Sequence, residues 1–218
     1  FSDIIGFTTL SEQMEAEDLS NFLNFYLTNM CDIALKFGGT IDKFIGDSLM
    51  IFFGDPDTQG VQEDAAACCH MAMEMLAFLE SNQQHFQEMY NFPEKLEIRV
   101  GIHNGLCNVG NFGSAQRLDY TAIGRAVNVA SRLEQAAPKN SILVSSAVRN
   151  LIKNKFETSS PIEVKAKGID KPIASYVLTR QGSINSKVIK EMDGLKLEYD
   201  PKKITKDKLL EIIDKLEN

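Results

Sequence analysis

The stretch that most restricts what this chain of 218 residues can become is Thr40 to Phe53, TIDKFIGDSLMIFF. Two β-rich runs, Thr40 to Ile45 and Ser48 to Phe53, flank Gly46-Asp47, and a two-residue loop opening with glycine signals a tight hairpin. Asp47 is thereby placed at the turn. Such a hairpin has no need of Lys43 inside its first strand. Lys43 and Asp47 lie about 13 Å apart along an extended strand that rises roughly 3.3 Å per residue. They are therefore not a simple ion pair, but they can serve opposite ends of something long.

The opening of the chain, FSDIIGFTTLSEQ, supplies a second carboxylate. Asp3 lies between Phe1 and the apolar pair Ile4-Ile5, Gly6 permits a sharp bend, and Thr9 with Glu12 has the spacing of a capping box. The pattern is strand, carboxylate, glycine turn, helix N-terminus. Unpaired backbone N–H groups and the positive end of the helix dipole make Gly6, Phe7 and Thr8 a phosphate cradle. Asp3 and Asp47 on neighbouring strands have the chemistry to hold two divalent ions, about 4 Å apart, against a polyphosphate. Either aspartate alone also suits a plain turn.

Composition sets the frame. A 44% hydrophobic and 24% charged chain of this length reads as one soluble globular domain with an appendage. A net charge of -7 argues against a nucleic-acid partner, which would require a basic face. Cys31, Cys68, Cys69 and Cys107 sit in apolar runs without a secretory framework, which suits a reducing, cytoplasmic setting. Cys68, Cys69 and His70 lack a second ligand pair at zinc-finger spacing and read as buried helix residues. No run approaches the roughly 18 apolar residues of a membrane helix.

In order along the chain, Leu19 to Phe37 is predicted as an amphipathic helix closed by Gly38-Gly39. After Asp55-Pro56, Glu63 to Tyr90 reads as one long helix with the stripe Ala66, Cys69, Met73, Leu76, Phe78 and Leu79. Leu96 to Asn111 alternates as two strands joined around Asn104-Gly105, a hairpin signal. His103 at that strand end reads as structural. Gln116 to Ile123 is a further strand, and Gly124 opens a helix from Ala126 to Ala137, ended by Pro138. Ile142 to Val144, a short helix near Val148, Ile162 to Lys165 and Ile173 to Leu178 complete the sheet as edge strands. The expected class is α+β, with helices packed against a mostly antiparallel sheet. Within the predicted helix Asn128 and Arg132 are four apart and project from one face, with no acid at helical spacing to balance the arginine.

FSDIIGFT, then DKFIGDSLMIFF, then LDYTAIGRAVNVASRLE: these three ordered motifs resemble the class III nucleotidyl cyclase catalytic domain, from Phe1 to about Leu178. The resemblance implies a ferredoxin-like βαββαβ core with extra strands, and the element order read above agrees. It implies that Asp3 and Asp47, with the backbone carbonyl of Ile4, hold two Mg²⁺ or Mn²⁺ ions. Lys43 and Thr121 would read the base, Asn128 would orient the ribose, and Arg132 would stabilise charge growing on the α-phosphate. Lys165 in VKAKG resembles the polyphosphate lysine, with Lys167 as its competitor. Lysine donates and adenine N1 accepts, whereas guanine presents N1–H, so Lys43 with Thr121 favours ATP.

Thr121 is also similar to its counterpart in the bacterial subgroup related to soluble mammalian adenylyl cyclase, some of whose members respond to bicarbonate. The implied reaction is attack of the ribose 3′-oxygen of ATP on the α-phosphorus, giving 3′,5′-cyclic AMP and pyrophosphate. In this family the metal aspartates come from one subunit and the base, ribose and phosphate contacts from the other, so the expected unit is a homodimer. Arg125 departs from relatives that carry an acid there. The rival readings are a guanylate cyclase, opposed by Lys43, and a catalytically silent cyclase-like regulatory module. A diguanylate cyclase is opposed by the turn IGDSL.

The expected catalytic domain is 1–178. The tail 179–218 is expected to hold a linker from Gly182 to Ser186 and a short amphipathic helix from Thr205 to Leu216. The chain opens inside a motif, which reads as a fragment, and any regulatory or membrane domain upstream would lie outside this sequence.

Overall fold

The glycine turn at Gly46-Asp47 forms as expected. Gly46 takes φ 65°, a left-handed conformation that glycine adopts at little cost. It joins β2 (Thr40–Ile45) to β3 (Ser48–Phe52), with Ile45 opposite Ser48. A computed structural model describes residues 1–90, 92, 94–164, 172–181, 188–192 and 195–199. The short strand β1 (Ser2–Ile4) lies antiparallel between β3 and β4 (Ile98–Ile102), and β4 runs parallel to β7 (Ser141–Ser145). The sheet continues through β10 (Ile173–Gln181) to β8 (Phe156–Thr158), and β9 (Ile162–Val164) also pairs with β10. The order β2-β3-β1-β4, with helices crossing between β1 and β2 and between β3 and β4, is the βαββαβ core.

The helices cover this sheet because their apolar residues recur at helical spacing. In α2 (Ala16–Lys36) Phe22, Tyr26, Met30, Ile33 and Ala34 are buried. The long helix expected after Pro56 is two helices, α3 (Val61–Ser81) and α4 (Gln83–Tyr90). They break at Asn82, whose amide donates to the Phe78 carbonyl and competes with the helical ladder. The buried face of α3 is Ala65, Ala66, Cys69, Met71, Ala72, Met75 and Leu79, so Met73, Leu76 and Phe78, expected on the stripe, flank the buried face instead. Phe22 of α2 meets Phe86 of α4 and Phe92 edge to face, and those two rings stack on each other.

Three further expectations are corrected. The capping box at Thr9 does not form: Gly6, at φ 74°, starts α1 (Phe7–Gln13), and the Leu10 N–H reaches the Gly6 carbonyl, so Thr9 is already inside the helix. Asn104-Gly105 does not close a hairpin. Both edges of β4 are taken by β1 and β7, so β5 (Asn108–Ser114) leaves the sheet and pairs with β6 (Arg117–Ile123) as a separate two-stranded ribbon. Ile142 to Val144 lies inside β7, an interior strand with buried side chains, not at an edge.

The remaining helices are α5 (Arg125–Ala136) and α6 (Ser146–Ile152). Beyond β10, β11 (Val188–Met192) and β12 (Leu195–Tyr199) pair antiparallel where no strands were expected. The expected linker and the 205–216 helix lie outside the described residues. No described helix is long and apolar enough to cross a membrane.

α5 is seated on β4 at Gly101. A Cβ there would lie 2.1 Å from the Glu134 nitrogen and 2.4 Å from the Ala130 carbonyl oxygen, both backbone atoms. Gly101→Ala is therefore expected to force helix and sheet apart, costing on the order of 3 kcal/mol. A thermal unfolding midpoint within a degree or two of wild type would contradict this close packing.

Candidate active site

Residues 3 and 47 meet because β1 lies between β3 and β4. The Ile4 N–H donates to Asp47 Oδ2 at 2.9 Å, which draws the turn carboxylate onto the strand that carries Asp3. Asp3 accepts from Ser48 Oγ at 2.5 Å through Oδ1 and from Arg99 Nη2 at 2.7 Å through Oδ2. Burial pushes the Asp47 carboxyl up to about 6, and the adjacent Asp3 charge pushes in the same direction, against the Ile4 N–H, which lowers it. Glu134 on α5 is pushed up to about 7, first by burial and then by Asp3, with Arg99 opposing. Arg99 Nη2 stands 3.4 Å from Glu134 Oε1, an ion-pair contact without a hydrogen bond. One guanidinium thus stands between two carboxylates, Asp3 and Glu134.

This donor set fits a small hard dication. The oxygens suit Mg²⁺ or Mn²⁺, and two carboxylates completed by backbone and substrate oxygens is how Mg²⁺ is commonly held, without an all-protein cage. Consistently, no group of three or more His, Cys, Asp or Glu side chains gathers as a metal cage among the described residues. Cys69 is buried, and His70 packs against Phe37 and Phe156.

A second cluster lies in a cleft of about 540 Å³ lined by Lys43, Thr121, Gly124 and Asn128, with Ile45 and Ile123. Lys43 is half-exposed, Thr121 is buried on β6, and Asn128 is exposed on α5. Arg132, one turn after Asn128, is held by Gln135 Oε1 at 2.7 Å and does not line the cleft. Nor do Asp3 and Asp47. Gly6, Phe7 and Thr8 open α1 directly after the β1 carboxylate. Lys165 and Lys167 lie outside the described residues. Arg125 is exposed at the start of α5, where its charge joins burial in lowering the His103 pKa; His103 Nδ1 shares a 2.8 Å hydrogen bond with Ser145 Oγ.

Sequence reasoning missed Arg99, Glu134 and Asp42. Arg99 carried the same signal as Lys43, a cation inside an apolar strand. Asp42 carried none, because its placement depends on a β-bulge: Ile41 faces Ile51 and Lys43 faces Met50, leaving Asp42 as the extra residue.

Residues 1–180 match the model of the adenylate and guanylate cyclase catalytic domain. The chain belongs to this family of class III nucleotidyl cyclases. It is 35% identical to an adenylate cyclase of Anabaena cylindrica over 81% of this chain and 35% of that protein, so the chain spans about a third of that relative's length. Among solved structures it is similar to the adenylyl cyclase CyaB from P. aeruginosa, with TM-score 0.80 and 46% identity over 84% of this chain and 92% of that one. It is also similar to the guanylyl cyclase Cya2, with TM-score 0.78 and 31% identity over 84% and 90%. Both nucleotide specificities occur among its relatives.

The carboxylate pair has a pH signature. Because the folded-state pKa of Asp47 lies above its ordinary 3.8, the folded protein holds the extra proton, and stability falls as pH rises from about 4 through 6. Discounted for solvent screening at a half-buried site, the loss is on the order of 1 kcal/mol. Asp47→Asn is expected to unfold at a higher temperature than wild type at pH 8 without divalent ions, and Mn²⁺ is expected to stabilise wild type alone. Equal Mn²⁺ stabilisation of both proteins in a thermal melt would contradict a metal-binding role for Asp47.

Proposed function

We propose that this chain is an adenylate cyclase catalytic domain, spanning 1–178, that converts ATP to 3′,5′-cyclic AMP and pyrophosphate at the interface of a homodimer. The observation that carries the reading is the contact between the carboxylates of Asp3 and Asp47, brought together from two strands in a chain of the cyclase family. Asp3, Asp47 and the Ile4 carbonyl would hold two Mg²⁺ or Mn²⁺ ions. When bound, these ions lower the pKa of the ribose 3′-hydroxyl and offset charge on the β- and γ-phosphates.

The chain's own residues supply orientation and counter-charge. Lys43 donates to adenine N1 and Thr121 accepts from the 6-amino group, which favours adenine over guanine. Asn128 hydrogen-bonds the ribose and presents its 3′-oxygen to the α-phosphorus. As that O–P bond forms, the bond from the α-phosphorus to the α–β bridging oxygen breaks, the hydroxyl proton leaves to solvent, and Arg132 meets the charge growing on the α-phosphate. The N–H groups of Gly6, Phe7 and Thr8, with Lys165 or Lys167, receive the departing pyrophosphate.

The cleft with Lys43, Thr121 and Asn128 does not include the carboxylates, which supports a site completed by a second copy. Exposed apolar residues, Ile45 and Ile123 at the cleft itself with Phe44, Leu106, Leu118 and Tyr120 on or near β2 and the β5–β6 ribbon, support such a contact. The domain would work in the cytoplasm, with any regulatory or membrane segment elsewhere in a longer protein. Thr121 supports the subgroup related to soluble adenylyl cyclase, with bicarbonate as a candidate input.

Incubation with ATP and Mg²⁺ or Mn²⁺ is expected to yield cyclic AMP, abolished by a chelator. Arg132→Ala is expected to lower the rate about 100-fold or more, and Asp47→Ala to abolish it. Mixing the two variants should restore about a quarter of wild-type activity, since half the dimers are mixed and each keeps one whole site of two. No recovery on mixing would refute the shared site, and cyclic GMP as the main product would refute the substrate.

A further inference from the structure

One carboxylate at the base-reading end of the cleft has no part in the proposed mechanism. Asp42, the extra residue of the β2 bulge, has a side chain with no exposed surface. Its Oδ1 and Oδ2 accept from Thr121 Oγ1 at 2.8 and 2.7 Å, Oδ2 accepts from the Ala122 N–H at 2.8 Å, and Oδ1 pairs with Lys43 Nζ at 3.2 Å. An ionised carboxylate only accepts, and a threonine hydroxyl has a single proton. That proton is therefore committed to Asp42, and the lone pairs Thr121 presents to the cleft can only accept. Lys43 carries three donors and no acceptor, and it contacts Asp42 as an ion pair without a hydrogen bond.

We propose that Asp42 is a specificity-determining positioning residue: it fixes Thr121 as an acceptor beside Lys43 as a donor, and so selects adenine over guanine. This rests on the reading of Lys43 and Thr121 as the base contacts. Adenine offers a 6-amino donor beside the N1 acceptor, and both match. Guanine offers an O6 acceptor beside an N1–H donor, so O6 would face lone pairs and N1–H would face an ammonium. A freely rotating threonine hydroxyl would turn its proton to O6 and remove the first mismatch. Asp42 denies it that rotation. The competing reading is that Asp42 only anchors the β5–β6 ribbon to β2 through the Ala122 N–H, in which case its loss would not distinguish nucleotides.

The test measures kcat and KM for ATP and for GTP with Mn²⁺ on the full chain. Asp42→Asn keeps the volume and an acceptor for Ala122 but offers Thr121 an amide donor, which turns the hydroxyl proton into the cleft. The ratio of kcat/KM for ATP to that for GTP is expected to fall ~10- to 100-fold, mainly through KM. Thr121→Val is expected to lower the same ratio, and adding Asp42→Asn to it should change the ratio no further, since Asp42 acts through that hydroxyl. Parallel loss with both nucleotides in Asp42→Asn, or a further fall of the ratio in the double variant, overturns the inference while leaving the cyclase reading intact. If Asp42→Asn does not fold, Thr121→Val decides, and an unchanged ratio there overturns the inference. Wild-type protein that cyclises neither nucleotide, or prefers GTP, overturns both readings.

Discussion

The close seat of α5 on β4 is the constraint on which the rest depends. At Gly101 the backbone of the helix lies where any side chain would stand, so helix and strand hold a fixed relation. β4 also pairs with β1, the strand of Asp3, and with β7, which carries the sheet onward to β10. One strand therefore sets the position of the acidic edge and of the helix bearing Asn128 and Arg132. Arg99, two residues before Gly101, adds a polar tie in the same place. It donates to Asp3 on one side and to the Gln135 carbonyl on the other, at 2.7 and 3.2 Å.

That tie has an electrostatic consequence. Asp3 and Glu134 flank one arginine, Asp47 adjoins Asp3, and both Asp47 and Glu134 resist ionising because burial disfavours their charged forms. A fold selected only for stability would not keep such a cluster, since an unbalanced buried charge destabilises it. Perturbed carboxyls of this kind gather where a cation or substrate completes the balance. The cluster sits on the shortest strand of the core and beside a two-residue turn, so few residues must be ordered to aim it.

Local chemistry was legible in the sequence, and long-range pairing only in part. The Gly46-Asp47 hairpin and the apolar face of α2 were readable because turn residues and helical periodicity act over a few positions. The Asn104-Gly105 signal misled for the same reason: it is locally sound, but β4 already has two partners, and only the whole sheet reveals that. The break at Asn82 was missed because Phe86 follows Leu79 by seven residues, a spacing that one unbroken helix would also give, and the early start of α1 because Gly6 caps without a side chain. Lys43 was conspicuous as a charge in an apolar strand, and Arg99 was equally so. Asp42 was hidden because one extra residue in β2 resets the alternation, and no residue type announces that bulge.

The separation of the two clusters is itself a physical statement about catalysis. In a single chain, the carboxylates that would hold cations do not line the cleft that would hold a base. Under the proposed homodimer, a twofold axis brings each cluster to its complement and generates two equivalent sites from one sequence. Activity would then depend on association, because a monomer presents only half of each site, and chain concentration becomes part of the catalytic equilibrium. The apolar residues left exposed on β2 and on the β5–β6 ribbon would supply the driving force. Because Asp42 joins that ribbon to β2, dimer geometry and base selection would share one buried hydrogen-bond network.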